Sequence, residues 1–160
     1  MKTIEKSIEV ARPINVVYNQ WTQFEDFPQF MEGVKEVRQL DDKRLHWKAE
    51  IGGETEEWDA EIFEQIPDQR IAWRSIGGTK NSGMVNFQPL GANETRVTVN
   101  VNYEAESPKE KIGSALGVVN ARVSGDLKRF KEFIEQRGAP TGSWRGEIHG
   151  RNVEPPDRGL

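Results

Sequence analysis

The chain has 160 residues, 35% of them hydrophobic, with a net charge of −4 at neutral pH and no cysteine. That length is enough for one domain with a sizeable core, while mixed, mildly acidic charge offers no basic face for nucleic acid. The missing cysteine excludes disulfides, thiolate catalysis and cysteine-ligated zinc. Met1-Lys2-Thr3-Ile4-Glu5-Lys6 has no apolar signal core and no run approaches a membrane span, so a cytoplasmic protein without stable membrane insertion is expected.

Ile4 to Val10 alternates as a first strand, with Ile4, Lys6, Ile8 and Val10 on one face. Pro13 opens a short helix to about Thr22 that buries Val16, Val17 and Trp21. Phe24, Phe27, Phe30 and Met31 then follow within a few residues, and Pro28 limits this segment to one or two helical turns. It either plugs the core or gates a pocket.

From Val34 to Ala105 the period is two. Strands are predicted at Val34–Leu40, Arg44–Ile51, Thr55–Gln65, Arg70–Ser75, Gly83–Pro89 and Thr95–Ala105, joined by turn residues. All the joints except Gly77 to Ser82 are short enough for antiparallel hairpins. In the Gly52-Gly53 hairpin a two-residue loop pairs Ile51 with Glu54. Trp47 then faces Trp58, Leu45 faces Ala60 and Ala49 faces Glu56; on the other face Lys48 meets Glu57, His46 meets Asp59 and Arg44 meets Glu61. The alternating acids therefore read as a solvated, ion-paired face rather than a metal ladder. His46 beside Asp59 lacks a nearby nucleophile, and His149 lies in the tail.

Pro108 to Gly138 is a long helix with Ile112, Leu116, Val119, Val123, Leu127, Phe130 and Ile134 on one stripe. Ser107, Pro108 and Glu110 supply its start; Gly138 and Pro140 stop it. Arg122, Lys128, Lys131 and Glu135 are placed mainly on its solvent side. Gly113, Gly117, Ala121 and Gly125 form a bare stripe. Glycine costs roughly 0.8–1 kcal/mol each within a helix, so the stripe implies either close packing, expected for Gly125, or a cavity floor, expected for Gly113 and Gly117.

Facing that helix is the inward set Leu45, Trp47, Ala49, Trp58, Ala60, Ile62, Ile71, Trp73, Val85, Phe87, Val97, Val99, Val101 and Tyr103. It holds no ionised group, so it does not supply the positioned acid or base that catalysis requires. Its aromatic walls suit a flat apolar ligand, or else fill the space beneath the helix.

Ala11-Arg12-Pro13-Ile14-Asn15-Val16-Val17-Tyr18 running into Trp21, then Phe24 to Val37 with its moderately specific Phe-Pro-x-Phe-Met segment, the downstream meander, and Asp126-Leu127-Lys128-Arg129-Phe130-Lys131 late in the helix together carry a resemblance. The chain resembles the START-like helix-grip superfamily, in its polyketide cyclase/dehydrase and coenzyme Q-binding branch, across residues 1–138. The resemblance implies an α+β helix-grip fold: a curved seven-stranded antiparallel sheet around a long C-terminal helix, two short helices between strands one and two, and an elongated cavity. Members bind sterols, quinones, polyketides, plant hormones or phospholipids, and only some are catalysts. The expected ligand-binding positions are Phe27, Phe30, Met31, Trp47, Trp58, Trp73, Phe87, Val99, Tyr103, Gly113, Leu116 and Gly117, with no catalytic residue, cofactor or metal. Binding or carriage of a small hydrophobic ligand is the leading expectation. A polyketide cyclase or dehydratase using Tyr103 with Asn81 or Asn100 is the alternative, and an interaction module with a vestigial cavity the third. Residues 139–160 read as a Gly/Pro/Arg-containing tail, largely disordered, in which Trp144 anchors back on the domain or meets a protein partner; the sheet edge is the other candidate surface for one.

Overall fold

A computed structural model describes residues 2–51, 53–78, 80–103 and 114–156, without the side chains of Lys2, Tyr103 and residues 114–118. Seven antiparallel strands lie in the order β1-β7-β6-β5-β4-β3-β2. They are β1 (Lys2–Val10), β2 (Val34–Gln39), β3 (Arg44–Ile51), β4 (Glu54–Ile66), β5 (Arg70–Gly78), β6 (Asn81–Gly91) and β7 (Glu94–Tyr103). Helix α1 (Ile14–Trp21) and a 3-10 helix (Phe24–Gln29) connect β1 to β2, and α2 (Ser114–Arg137) crosses the concave face. The fold is the expected α+β helix grip. The cap residues assigned to the start of the long helix lie outside the described residues.

The β3–β4 register is the one the two-residue turn dictates: Ile51 pairs Glu54, Trp47 pairs Trp58 and Arg44 pairs Glu61. β5 extends to Gly78 and β6 starts at Asn81, but their mutual pairing ends at Arg74 and Ser82 while the end of β5 continues along β4, so this joint is the long one expected. Bulges interrupt β2–β3 near Val34, β4–β5 near Asp59 and Ile62, and β6–β7 near Pro89. An extra residue in one strand raises local twist and bends the ladder, which curls the sheet around the helix. The bulge between Ile62 and Glu64 also shifts the side-chain phase. Gln65 thus turns inward opposite Ile71, where it is buried and donates to the Tyr18 hydroxyl at 3.1 Å.

The α2 stripe continues as expected, with Leu127, Phe130 and Ile134 fully buried. Beneath its C-terminal half a chain of edge-to-face rings joins Phe130 to Trp21 and Phe30, Trp21 to Phe27 and Phe87, and Phe87 to Tyr18. The charged residues of α2 do not simply face solvent. Lys131 donates to the Glu9 carbonyl at 2.8 Å, the Ala11 N–H donates to Glu135 at 2.7 Å, and Arg12 donates to the Glu135 carbonyl, which ties the helix to the β1 edge. On the opposite edge Arg129 donates to the Phe30 carbonyl at 2.9 Å, and Arg122 Nη1 to the Glu50 carbonyl at 2.5 Å. β1 and the residues after it hold one margin of the helix through polar bonds, and Phe30 and the end of β3 hold the other.

The expectation of a largely disordered tail does not hold for residues 141–154. Residues Glu147–His149 (β8) and Asn152–Glu154 (β9) form a hairpin, and β8 pairs with β4 at Glu64 and Gln65. β3 covers β4 only to Glu61, so the rest of that edge stands open to a further strand. Ile148 is fully buried there. Buried Gln20 exchanges hydrogen bonds with Thr141, and the Arg145 guanidinium lies over Tyr18 while bonding Asn19 at 2.6 Å and Asp68 at 2.7 Å. The tail has too little apolar content to fold alone; what orders it is the unfilled edge of β4.

Candidate functional site

Between α2 and the sheet lies a partly open cavity of about 200 Å³. An apolar cavity of ~150 Å³ already accepts a benzene ring. Of the expected binding positions, Phe27, Met31, Trp47, Trp58, Trp73 and Val99 line it. β3 and β4 present Trp47 and Trp58 as a cross-strand pair, and their rings stack with centroids 5.8 Å apart and planes within 5°. Both indole Nε1 groups are buried and have no hydrogen-bond partner among the described residues. Trp73 lies across Gly83 of the neighbouring strand, where a Cβ would run into its six-membered ring, and its Nε1 donates to Asn81 Oδ1 at 3.2 Å.

Phe30 and Phe87 are not in the lining. Phe30 is buried against Phe130 and Phe133, and Phe87 against Tyr18 and Trp21, because the first helix and the 3-10 turn fill that end of the concave face. The side chains of Tyr103, Leu116 and Gly117, and the whole of Gly113, lie outside the described residues. At Gly125 the nearest atoms that a Cβ would meet are those of the Arg129 guanidinium, 3.0 Å away on its own helix. Asn81 lines the cavity, whereas Asn100 alternates with inward Val99 and Val101 and lies in a shallow groove on the outer face.

The absence of ionised groups expected from the strands holds only for the strand walls' inward side chains. Glu32, Glu50, Arg122 and Asp126 gather where α2 meets the β2–β3 edge, and all four border the cavity. Asp126 accepts from the Glu32 N–H at 2.9 Å and from Arg129 at 2.6 Å. Burial outweighs those bonds and pushes its carboxyl above the ordinary carboxylate value. Gly33, with φ +87°, leaves the space that Arg122 Nη1 occupies. The strand pattern carries no trace of this cluster. The helix supplies Arg122 and Asp126, while Glu50 comes from the end of β3 and Glu32 from the turn before β2; the signal in the sequence is that Arg122 and Asp126 stand one turn apart beside Val119 and Val123.

The outer sheet face carries the ion pairs that the register predicts in kind but not in every partner. His46 Nδ1 lies 2.6 Å from Asp59 and its Nε2 3.1 Å from Glu57, so Glu57 reaches diagonally to the imidazole rather than straight across to Lys48. The bonds to Asp59 and then Glu57 raise the histidine above its ordinary value of 6.5. Glu61 is met by Lys43 and Arg74, and Arg44 turns to Asp41. Among the described residues no cluster of three His, Asp or Glu side chains could hold a metal, and no helix is long and apolar enough to cross a membrane.

A curved antiparallel sheet closed over a C-terminal helix, with an aromatic-walled cavity between them, defines the START-like helix-grip class. The chain belongs to the family of polyketide cyclases/dehydrases and lipid-transport proteins, whose pattern matches residues 10–132. It is 48% identical over 149 residues to an uncharacterised 17.2 kDa protein of Streptomyces lincolnensis, covering 92% of this chain and 99% of that one. A solved structure from Deinococcus radiodurans is 31% identical with a TM-score of 0.66, covering 86% of this chain and 99% of that one. An aromatase/cyclase of Streptomyces sp. R1128 superposes with a TM-score of 0.75 at 18% identity, covering 89% and 98%, a likeness of fold.

Proposed function

We propose that the chain binds or carries a small apolar ligand in the cavity under α2, and that Trp47, Trp58 and Trp73 form the principal walls. The observation that carries this reading is the cavity itself. Protein interiors pack with few voids, and unfilled apolar space costs ~24 cal/mol per Å³. A partly open, apolar-walled space of about 200 Å³ is one that a purely structural core would close by acquiring larger side chains. The enzymatic alternative needs a titratable group against the reacting atoms. Asn81 accepts from Trp73, Asn100 faces away, and the carboxyls that border the cavity, Glu32, Glu50 and Asp126, are paired with Arg129, Lys35 and Arg129.

Saturable quenching of tryptophan fluorescence by small aromatic compounds and quinones tests the reading, together with the rise in melting temperature that a ligand selective for the folded state produces. Val123→Phe adds a ring to the cavity from α2 and is expected to leave the protein folded while abolishing the quenching. Trp73→Ala is expected to weaken it. If no apolar compound quenches or stabilises the wild-type protein at micromolar concentration, the cavity is not a binding site.

A further inference from the structure

We propose that the ligand is an apolar carboxylic acid, its carboxylate held by Arg122 and its body lying against the tryptophans; this rests on the cavity being a binding site. Arg122 borders a cavity whose wall is otherwise predominantly apolar. The other charges beside it are already matched. Glu50 pairs with Lys35 at 3.6 Å, and Arg129 pairs with both Asp126 at 2.6 Å and Glu32 at 3.6 Å. Among the described residues no carboxylate lies within ion-pair distance of Arg122; its recorded partners are two backbone carbonyls, of Glu50 at 2.5 Å and Glu32 at 3.4 Å, both met by Nη1.

That leaves Nε and Nη2 of a half-buried guanidinium without a recorded acceptor. A cation held by neutral carbonyls at the edge of an apolar cavity lacks a counter-ion, and a guanidinium fork matches a carboxylate in a bidentate way. The seat is built for this side chain: Gly33 adopts φ +87° and a Cβ there would collide with the guanidinium. Asp126, one turn further along α2, is bonded instead to Arg129 at 2.6 Å and to the Glu32 N–H at 2.9 Å.

Isothermal titration of the full chain with matched acid and amide pairs tests the inference, because each pair shares a body and differs in charge. The pairs are 2-naphthoate with 2-naphthamide and octanoate with octanamide. At least one acid is expected to bind about tenfold or more tighter than its amide, as a charge-assisted bidentate contact requires. Arg122→Gln should erase that margin while leaving amide affinity within about twofold, whereas a merely structural arginine would weaken acid and amide alike. Arg122→Lys, which keeps the charge without the fork, should retain part of the margin and covers the case in which the glutamine variant misfolds. A margin for the naphthalene pair identifies an aromatic body, and one for the octanoyl pair an acyl chain. Equal binding of acid and amide by the wild-type protein, or a margin that survives Arg122→Gln, overturns the carboxylate site while leaving the cavity reading intact. If none of the four compounds binds, the carboxylate site falls, and the cavity reading falls with it when quinones and small aromatic compounds also fail to quench.

Discussion

Gly33 and His46 show how single residues carry more than local conformation. At Gly33 the positive φ of +87° and the guanidinium of Arg122 in the place of a Cβ act together. Gly33→Ala is expected to destabilise by about 1–3 kcal/mol through backbone strain, measured by denaturant unfolding, and to release Arg122 from its carbonyls. His46, held between Asp59 and Glu57, has a folded-state pKa raised above 6.5. Its ion-pair stabilisation is therefore fully present below 6.5 and is lost as pH rises through the raised folded value. Wild-type stability should fall across that window relative to His46→Gln, whose profile should be flatter there; parallel profiles would remove the assignment. The effect is small, since both carboxylates are about half exposed.

At the scale of elements, the β3–β4 hairpin and the tail behave oppositely. The hairpin register follows from turn length and from the sorting of apolar and charged partners, both local, and Trp47 meets Trp58 as that logic requires. The tail hairpin is non-local: β8 exists because β4 outruns β3 and because Ile148 fills a slot beside Gln65. Ile148→Ala is expected to cost about 2–5 kcal/mol, with amide exchange at β8 and β9 rising to the rate of an open segment. A loss under about 0.5 kcal/mol, the range of an ordinary surface substitution, would mean that the hairpin is not integral to the sheet.

Across the whole molecule, the two edge strands, β1 and β2, lie far apart in the sheet and are bridged by α2 and by the segment between them. Arg12, Lys131 and Glu135 hold one margin, Arg122 and Arg129 the other. This grip keeps a cavity open over the middle of the sheet while the ring cluster closes one end. Val123→Phe, by filling the space that the grip preserves, should raise or maintain the melting temperature as it removes binding. A loss exceeding about 3 kcal/mol would point to overpacking of an already full core.

By itself the sequence determined the element order, the period-two strands, the hairpin register, the aromatic walls at Trp47, Trp58 and Trp73, and the helix stripe at Leu127, Phe130 and Ile134. Each of these depends on spacing along one element or across one short turn. Only the tertiary structure decided that Phe30 and Phe87 belong to the core, that Gln65 turns inward, that residues 147–154 form a hairpin, and that Arg122 and Asp126 border the cavity. Helical periodicity placed Arg122 on the solvent side of an isolated helix, but Gly33 and the end of β3 rise to meet its guanidinium, while Asn120 and Ala121 beside it stay exposed. A single bulge reverses the faces of every later residue in its strand, and the alternation of apolar side chains around Ile62 to Ile66 does not announce it.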